Sequence, residues 1–249
     1  MGYINRHIEQ RITLLSKTWS AILLTGPRQS GKTTMLKNLA EKENTGRKYI
    51  SLDDLTVRET AKNDPKLFLE LYTPPIIIDE IQYAPELFTY IKIYIDAHHN
   101  PGDFWLTGSQ IFRLMQGVQE SLAGRVALLH MSPLSQREIT DSPSRPFTTD
   151  FSALLSDSRE IKRVSAVKMY ERIWNGCMPG MLGGDYTDRN IFYSSYLSTY
   201  IERDVRELSG AIDALKFSKF ITAAAARASQ LVNYKAMADD ADIDQVTAK

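Results

Sequence analysis

A short run near the N-terminus, residues 26–33, combines two glycines with a lysine and a threonine at fixed spacing. It reads Gly-Pro-Arg-Gln-Ser-Gly-Lys-Thr and matches the pattern G-x-x-x-x-G-K-[ST] in full. Such a loop binds a polyphosphate through converging backbone N–H groups, and the two glycines let the backbone approach closely. The alternative is a chance match in an ordinary loop, but an apolar run precedes these residues and a helical pattern follows them. We therefore predict a nucleotide site, or P-loop, at Gly26, Pro27, Arg28, Gln29, Ser30, Gly31, Lys32, Thr33 and Thr34.

Two of these side chains have distinct expected tasks. Lys32 is placed to neutralise the β- and γ-phosphates, and Thr33 to offer its hydroxyl to magnesium. The helix that follows the loop would add the positive end of its dipole. The predicted ligands are therefore the phosphates of a nucleotide and Mg²⁺.

Two adjacent carboxylates, Asp79 and Glu80, end a second apolar run at residues 75–78. In a parallel sheet, ligands gather at the carboxyl edge, where this run would end. Asp79 is placed there to hold the magnesium shell, and Glu80 to orient and polarise a water for attack on the γ-phosphate. The alternative is a solvated acidic turn, which the neighbouring P-loop makes the weaker interpretation.

Two further polar residues are candidates with a plain structural alternative each. Ser109 follows the apolar run 104–106 and would hydrogen-bond the attacking water or the γ-phosphate, or else act as an ordinary helix cap. Arg125 precedes the run 126–129 and would stabilise transition-state charge on a neighbouring subunit's nucleotide, or else pair with a structural partner.

The elements that must position these residues alternate between strands and helices. Short apolar runs predict strands at residues 21–24, 49–52, 76–78, 104–106 and 126–129, and helical periodicity predicts helices at residues 4–16, 32–42, 65–72 and 85–97. This alternation predicts an α/β fold with a parallel sheet and flanking helices.

The pattern changes near residue 140. The turn-rich stretch 141–146 is a candidate linker, and only helices are predicted after it, at residues 161–174, 192–208 and 211–231. Residues 236–241, 242–244 and 245–249 resemble a helix-turn-helix cut off inside its second helix. Four aspartates surround Lys235 in this stretch, so protein contact or packing is favoured over DNA reading. The predicted division is 1–140, 141–232 and 233–249.

Composition excludes several classes of protein. The 249 residues carry 30 basic and 30 acidic side chains, so no global charge attracts nucleic acid or anionic lipid. One cysteine, Cys177, allows no internal disulfide, and a small packed residue is the favoured interpretation of it. No signal-peptide core and no apolar run of about 20 residues is found, so we expect a cytoplasmic protein without a membrane partner.

The order of these motifs resembles that of the AAA-plus ATPases. The P-loop, the Ile-Asp-Glu-Ile-Gln run 78–82, the Leu-Thr-Gly-Ser run 106–109 and the Ser-Leu-Ala-Gly-Arg run 121–125 are similar to one prokaryotic group within them. Its members join an AAA ATPase module to a C-terminal nuclease-like domain of uncharacterised function. The segments 133–138 and 196–204 also resemble that group. The C-terminal domain is absent from this chain, and residues 176–179 depart from the group's paired glycines.

The resemblance implies a role for each candidate residue. Phosphate and magnesium binding is implied at Gly26, Gly31, Lys32 and Thr33, magnesium binding at Asp79, water activation at Glu80, the sensor position at Ser109 and the finger position at Arg125. The expected function is Mg-dependent ATP hydrolysis that drives or gates a conformational change, with a homo-oligomer and a DNA or protein client as candidate partners. The alternatives are a small-molecule phosphotransferase and a nucleotide-gated binding module with little turnover.

Overall fold

The computed structural model describes residues 2–109, 121–146, 148–160, 163–200 and 213–249. The chain divides into two compact units, Met1–Thr187 and Asp188–Lys249. Parts of the predicted segments 161–174, 192–208 and 211–231 lie outside the described residues. So does part of the segment 196–204, namely residues 201–204.

The first unit is built on a five-stranded parallel sheet, as predicted. Its strands, in chain order β1 to β5, are Ala21–Thr25, Lys48–Ser51, Ile76–Asp79, Phe104–Gly108 and Val126–His130. Their order across the sheet is β2-β3-β4-β1-β5. The strand β4 thus lies between β1 and β3, with Leu24 opposite Thr107 and Ile78 opposite Leu106. The P-loop strand and the Asp-Glu strand are therefore not neighbours, and β4 separates them.

Both faces of the sheet are covered by helices, because alternate residues of each strand point to opposite sides. From β1, Ala21 and Leu23 join one buried cluster and Ile22 and Leu24 join the other. The first cluster includes residues of α3 (Leu55–Asn63), α4 (Pro65–Leu71) and α5 (Leu87–His98), and the second includes residues of α1 (Ile8–Leu15) and α2 (Lys32–Glu43). The packed sheet therefore fixes the positions of the strand ends relative to one another.

Helix starts follow the side chains available to cap them. Asp54 accepts hydrogen bonds from two N–H groups at the start of α3, and Asp64 accepts one at the start of α4, where Pro65 is the first residue. Ser135 and Glu138 form a capping box on α6 (Gln136–Ile139). Neither α3 nor α6 was predicted from the sequence, and α1 begins four residues later than predicted.

The first unit continues through α7 (Phe151–Glu160), α8 (Ala166–Asn175) and α9 (Pro179–Gly183). The predicted helix 161–174 is wrong at its start, because the Ser165 side chain accepts a hydrogen bond from the Lys168 N–H and α8 begins at Ala166. The helix α7 was not predicted from the sequence. The favoured interpretation of Cys177 as a small packed residue is also wrong, because the residue is exposed. Its backbone carbonyl accepts a hydrogen bond from the Leu134 N–H at 2.9 Å.

The second unit is helical in its described part, with α10 (Arg189–Tyr200), α11 (Ala214–Ala226), α12 (Tyr234–Ala241) and α13 (Gln245–Ala248). Asn233 caps α12 and Asp244 caps α13, with Asp242 in the left-handed conformation between them. Lys216 of α11 forms an ion pair with Asp242, and Arg227, which follows α11, forms one with Asp240 of α12. Across the described residues of both units, every helix is too short or too polar to cross a membrane.

Candidate functional site

The loop between β1 and α2 adopts a backbone that only glycine tolerates at two points. Gly31 has φ +89°, and Gly26 has φ +148°. A Cβ atom on Gly26 would lie 2.2 Å from the carbonyl oxygen of Met131, so no side chain fits there. Gln29 is left-handed as well, with φ +57°. The two glycines predicted from the motif are therefore required by the observed geometry.

Lys32 begins α2 and folds back over the loop. Its side chain is buried, and its Nζ donates to the carbonyl of Gly26 at 2.9 Å and to that of Pro27 at 2.8 Å. Ser30 closes the same turn, with its Oγ donating to the Pro27 carbonyl at 2.8 Å. The ammonium is thus held against the loop whose N–H groups would cradle a polyphosphate.

The other predicted loop residues surround this core with different exposure. Pro27 and Arg28 are half-buried, whereas Gln29 and Thr34 are exposed. Thr33 is half-buried and turns its hydroxyl towards the Asp-Glu strand. The loop therefore offers backbone donors, one ammonium and one hydroxyl on the side that faces β3 and β4.

Asp79 is the centre of a buried hydrogen-bond network. Thr33 Oγ1 lies 3.0 Å from each carboxylate oxygen, the Tyr49 hydroxyl donates at 2.8 Å, and the Thr107 hydroxyl donates to Oδ1. Burial and the bond to Asp79 raise the pKa of Tyr49 to about 12, so the phenol remains a donor at physiological pH. The Nζ of Lys37 lies over the Tyr49 ring, 3.5 Å from its centre, in a cation–π contact. These donors hold the carboxylate of Asp79 beside Thr33.

Glu80 lies in an unfavourable backbone conformation, with φ +57°. A left-handed glutamate persists only where surrounding contacts determine it, and such residues cluster at functional sites. Here the Glu80 N–H donates to Thr107 Oγ1 at 3.2 Å, and its carboxylate accepts from Ser109 Oγ at 3.2 Å and from the Gln82 amide. Gln82 is buried, and its Oε1 has no hydrogen-bond partner in the described structure. Ser109 and Gln82 thus both donate to the same oxygen of Glu80, Oε2.

Ser109 therefore lies at the site, where it contacts Glu80. Arg125 does not. It precedes β5 and so lies at the amino edge of the sheet, whereas the P-loop follows the carboxyl end of β1. Its guanidinium pairs with Asp96 of α5 at 2.6 and 3.0 Å. Asp96 is therefore the structural partner of Arg125, which the sequence alone could not identify. A role for Arg125 at the nucleotide of another subunit stays a prediction.

Sequence reasoning missed Tyr49, Gln82 and Thr107 of this network, and also Arg6, whose Nη1 donates to the Ser30 carbonyl of the P-loop. Thr107 carried a signal, because a polar residue at the end of a fully buried strand must find a partner. Gln82 lies within the Ile-Asp-Glu-Ile-Gln run 78–82, but no function was predicted for it from the sequence. Arg6 and Tyr49 are distant in sequence, and only the fold brings them close to the loop and to Asp79.

The chemistry of the donors fits magnesium. Thr33 and Asp79 present a hydroxyl oxygen and carboxylate oxygens within 3.0 Å of one another, and Mg²⁺ prefers such oxygen ligands with waters completing its shell. In the described part of the chain, no group of three or more His, Cys, Asp or Glu side chains forms another metal site.

Comparisons with known proteins found similar sequences and a similar fold. Residues 18–140 match a family model described as an AAA domain, and residues 166–249 match one described as a domain of unknown function. Over 230 residues, or 92% of this chain, it is 29% identical to the uncharacterized protein Rv2008c of Mycobacterium tuberculosis and to the uncharacterized protein Mb2031c of Mycobacterium bovis. The match covers 46% of each relative, so the chain spans about half the length of the curated relatives it matches.

One solved structure has the same fold. The Walker-type ATPase PABY2304 of Pyrococcus abyssi aligns with a TM-score of 0.54 and 16% identity, over 96% of this chain and 89% of that one. The strand order and this likeness define a P-loop NTPase fold of the AAA type, followed by a helical region. The match to the AAA domain begins just before β1 and ends after α6, so it contains all five strands.

Proposed function

We propose that this chain binds ATP with Mg²⁺ and hydrolyses it to drive or gate a conformational change on a client. The observation that carries the proposal is the convergence of Thr33 and Asp79, whose oxygens lie 3.0 Å apart, beside Lys32 and Glu80. The end of β3 supplies the two carboxylates, and the start of α2 after the P-loop supplies Lys32 and Thr33, at the edge of the sheet where ligands bind in open α/β folds.

Each residue then has a defined task. The loop N–H groups and Lys32 bind the phosphates, and Lys32 exchanges its two carbonyl acceptors for phosphate oxygens. Thr33 and Asp79 would hold the magnesium ion, which neutralises phosphate charge when bound. Glu80 accepts a hydrogen bond from the attacking water, and Ser109 and Gln82 keep its carboxylate in place. The charge that develops on the γ-phosphate is stabilised by groups already oriented before reaction.

Two alternatives make different use of Glu80. A small-molecule phosphotransferase needs no carboxylate to activate water, and the two side chains that hold Glu80 favour hydrolysis over it. A nucleotide-gated binding module would keep the site but release little phosphate. The client, whether DNA or protein, and a homo-oligomer that uses Arg125 remain proposals. So do a C-terminal nuclease-like domain and the division at residues 140 and 232.

The test separates binding from chemistry. Lys32→Ala should weaken ATP binding at least about tenfold, because the phosphate loses its fixed counter-charge. Glu80→Gln should bind ATP as well as the wild type while phosphate release falls about a hundredfold or more. Calorimetry and a phosphate-release assay without added acceptor measure both.

Matched controls are the exposed residues Lys17→Ala and Glu86→Gln, which should behave as the wild type. Unchanged ATP affinity in Lys32→Ala would refute the P-loop assignment. Near-normal turnover in Glu80→Gln would remove Glu80 from the reaction. Binding without phosphate release in the wild type, with and without DNA, would favour the gated binding module.

A further inference from the structure

A buried arginine outside the P-loop holds the loop from behind. Arg6 precedes α1, and only 6% of its surface is exposed. Its Nη1 donates to the carbonyl of Ser30 at 2.8 Å, and its Nη2 donates to the carbonyl of Ser132 at 2.6 Å. Its Nε bonds the carboxylate of Glu138 at 3.1 Å. One side chain therefore joins the N-terminal segment, the phosphate loop and the segment after β5.

The bond to Ser30 fixes the direction of a peptide group. In a trans peptide the carbonyl of one residue and the N–H of the next point in opposite directions. Because Arg6 holds the Ser30 carbonyl, the Gly31 N–H must point away from Arg6. Gly31 immediately precedes Lys32, where α2 begins, so its N–H is one of the donors that the loop would offer to phosphate.

The peptide between Ser30 and Gly31 needs an external restraint because its second residue is a glycine. Glycine occupies positive and negative φ with similar ease, so the peptide between Ser30 and Gly31 can turn over at little cost. Turning it over would direct a carbonyl, instead of an N–H, at the phosphate. The bond from a charged guanidinium is stronger than a neutral one, and it exists only with the N–H directed away from Arg6.

The guanidinium is itself held by a matched counter-ion. Glu138 accepts from Arg6 and from the N–H groups of His7 and Ser135, at 2.9 and 2.7 Å. Burial acts to raise the pKa of Glu138, but these N–H groups and Arg6 outweigh it and hold the pKa below its usual range. The pair therefore stays ionised at neutral pH, and the planar fork of Arg6 reaches three acceptors at once.

We propose that Arg6 is a positioning residue of the nucleotide site, which pins the peptide between Ser30 and Gly31 so that its N–H is available to phosphate. This inference rests on the proposed function, since it assigns a task only if the loop binds a nucleotide. It makes Arg6 distinct from Glu138, whose task is to hold Arg6.

The experiment uses Arg6→Lys, which keeps the charge beside Glu138 but cannot reach all three acceptors. ADP affinity by calorimetry should fall about tenfold or more, while adenosine affinity stays unchanged, because only phosphate uses the Gly31 N–H. Arg6→Gln, which keeps one donor, is made alongside in case the lysine variant does not fold. Arg11→Lys, at an exposed position on α1, is the matched control.

Glu138→Gln separates positioning from stability. It should lower the unfolding temperature of the free protein but leave ADP affinity within about threefold, because Arg6 can still hold Ser30. Folded Arg6 variants that bind ADP as the wild type does would overturn the inference, and so would an equal loss in Glu138→Gln. A wild type that binds no ADP would instead refute the proposed function, and the role of Arg6 with it.

Discussion

Thr107→Val is the sharpest test of how the sheet positions the acidic pair. Thr107 is fully buried, and its hydroxyl donates to Asp79 Oδ1 while accepting from the Glu80 N–H at 3.2 Å. Valine has almost the same shape and no hydroxyl. The substitution therefore removes two hydrogen bonds with little change in packing.

The expected magnitude follows from these two bonds. A hydrogen bond to a charged group contributes roughly 1.5–3 kcal/mol, and a buried donor left unpaired costs about 1–3 kcal/mol. Asp79 keeps its bonds from Thr33 and Tyr49, and Glu80 is half-buried, so we take the lower end of each range. The free energy of unfolding should fall by at least about 2 kcal/mol, which lowers the melting temperature by roughly 4–8 °C for a domain of this size.

Thermal unfolding and phosphate release are measured on Thr107→Val and on Thr107→Ser, which keeps the hydroxyl. Serine loses only a methyl group and should retain most of the activity, whereas valine should lower turnover about tenfold or more because Asp79 and Glu80 lose a shared restraint. If valine and serine behave alike in both assays, the hydroxyl does not position the acidic pair and the reasoning is wrong.

Two other predictions concern charged residues away from the loop. Because the pKa of Glu138 is held below its ordinary value of 4.5, the stability difference between the wild type and Glu138→Gln should be constant at neutral pH and shrink as pH falls through that lowered pKa. Denaturant unfolding from pH 7 to pH 3 measures this stability difference, and a difference that grows as the pH falls would contradict the prediction. Arg125→Ala should lower turnover more than ATP affinity, and mixing it with Glu80→Gln protein should restore activity if sites are shared between subunits. Verified mixed assemblies no more active than the sum of their parents would remove Arg125 from a shared site.

The local part of the site could be predicted from the sequence because its chemistry depends on neighbouring residues. The spacing of Gly26 and Gly31 in the motif indicates two positions where the backbone needs glycine, and both residues have positive φ in the structure. Asp79 and Glu80 end a buried strand, so their position at the sheet edge followed from the parallel pattern. Each of these predictions needed only residues within one strand, one loop and one helix start.

The restraints around the site could not be predicted in the same way. Thr107 reaches Asp79 because β4 lies between β1 and β3, and periodicity does not reveal strand order. Tyr49 and Arg6 meet their partners across 30 and 24 residues of sequence. The start of a helix after residue 140 was also predicted wrongly. The apolar spacing indicated a start at residue 161, but the Ser165 side chain caps the helix and it begins at Ala166.

The topology also limits what Arg125 can do. All five strands run in the same direction, and Arg125 precedes the five-residue strand β5, while the P-loop follows the neighbouring strand β1. At about 3.3 Å per residue, the backbone of Arg125 lies roughly 16 Å along the sheet from the edge that binds phosphate. A role for Arg125 at the nucleotide site of its own chain is therefore excluded by distance. Its pair with Asp96 is largely exposed, and exposed ion pairs contribute little to stability, so the arginine can exchange this partner for another. If Arg125 stabilises phosphate charge at all, the nucleotide must belong to a second copy of the chain, and complementation between mutant subunits is the result that only this arrangement allows.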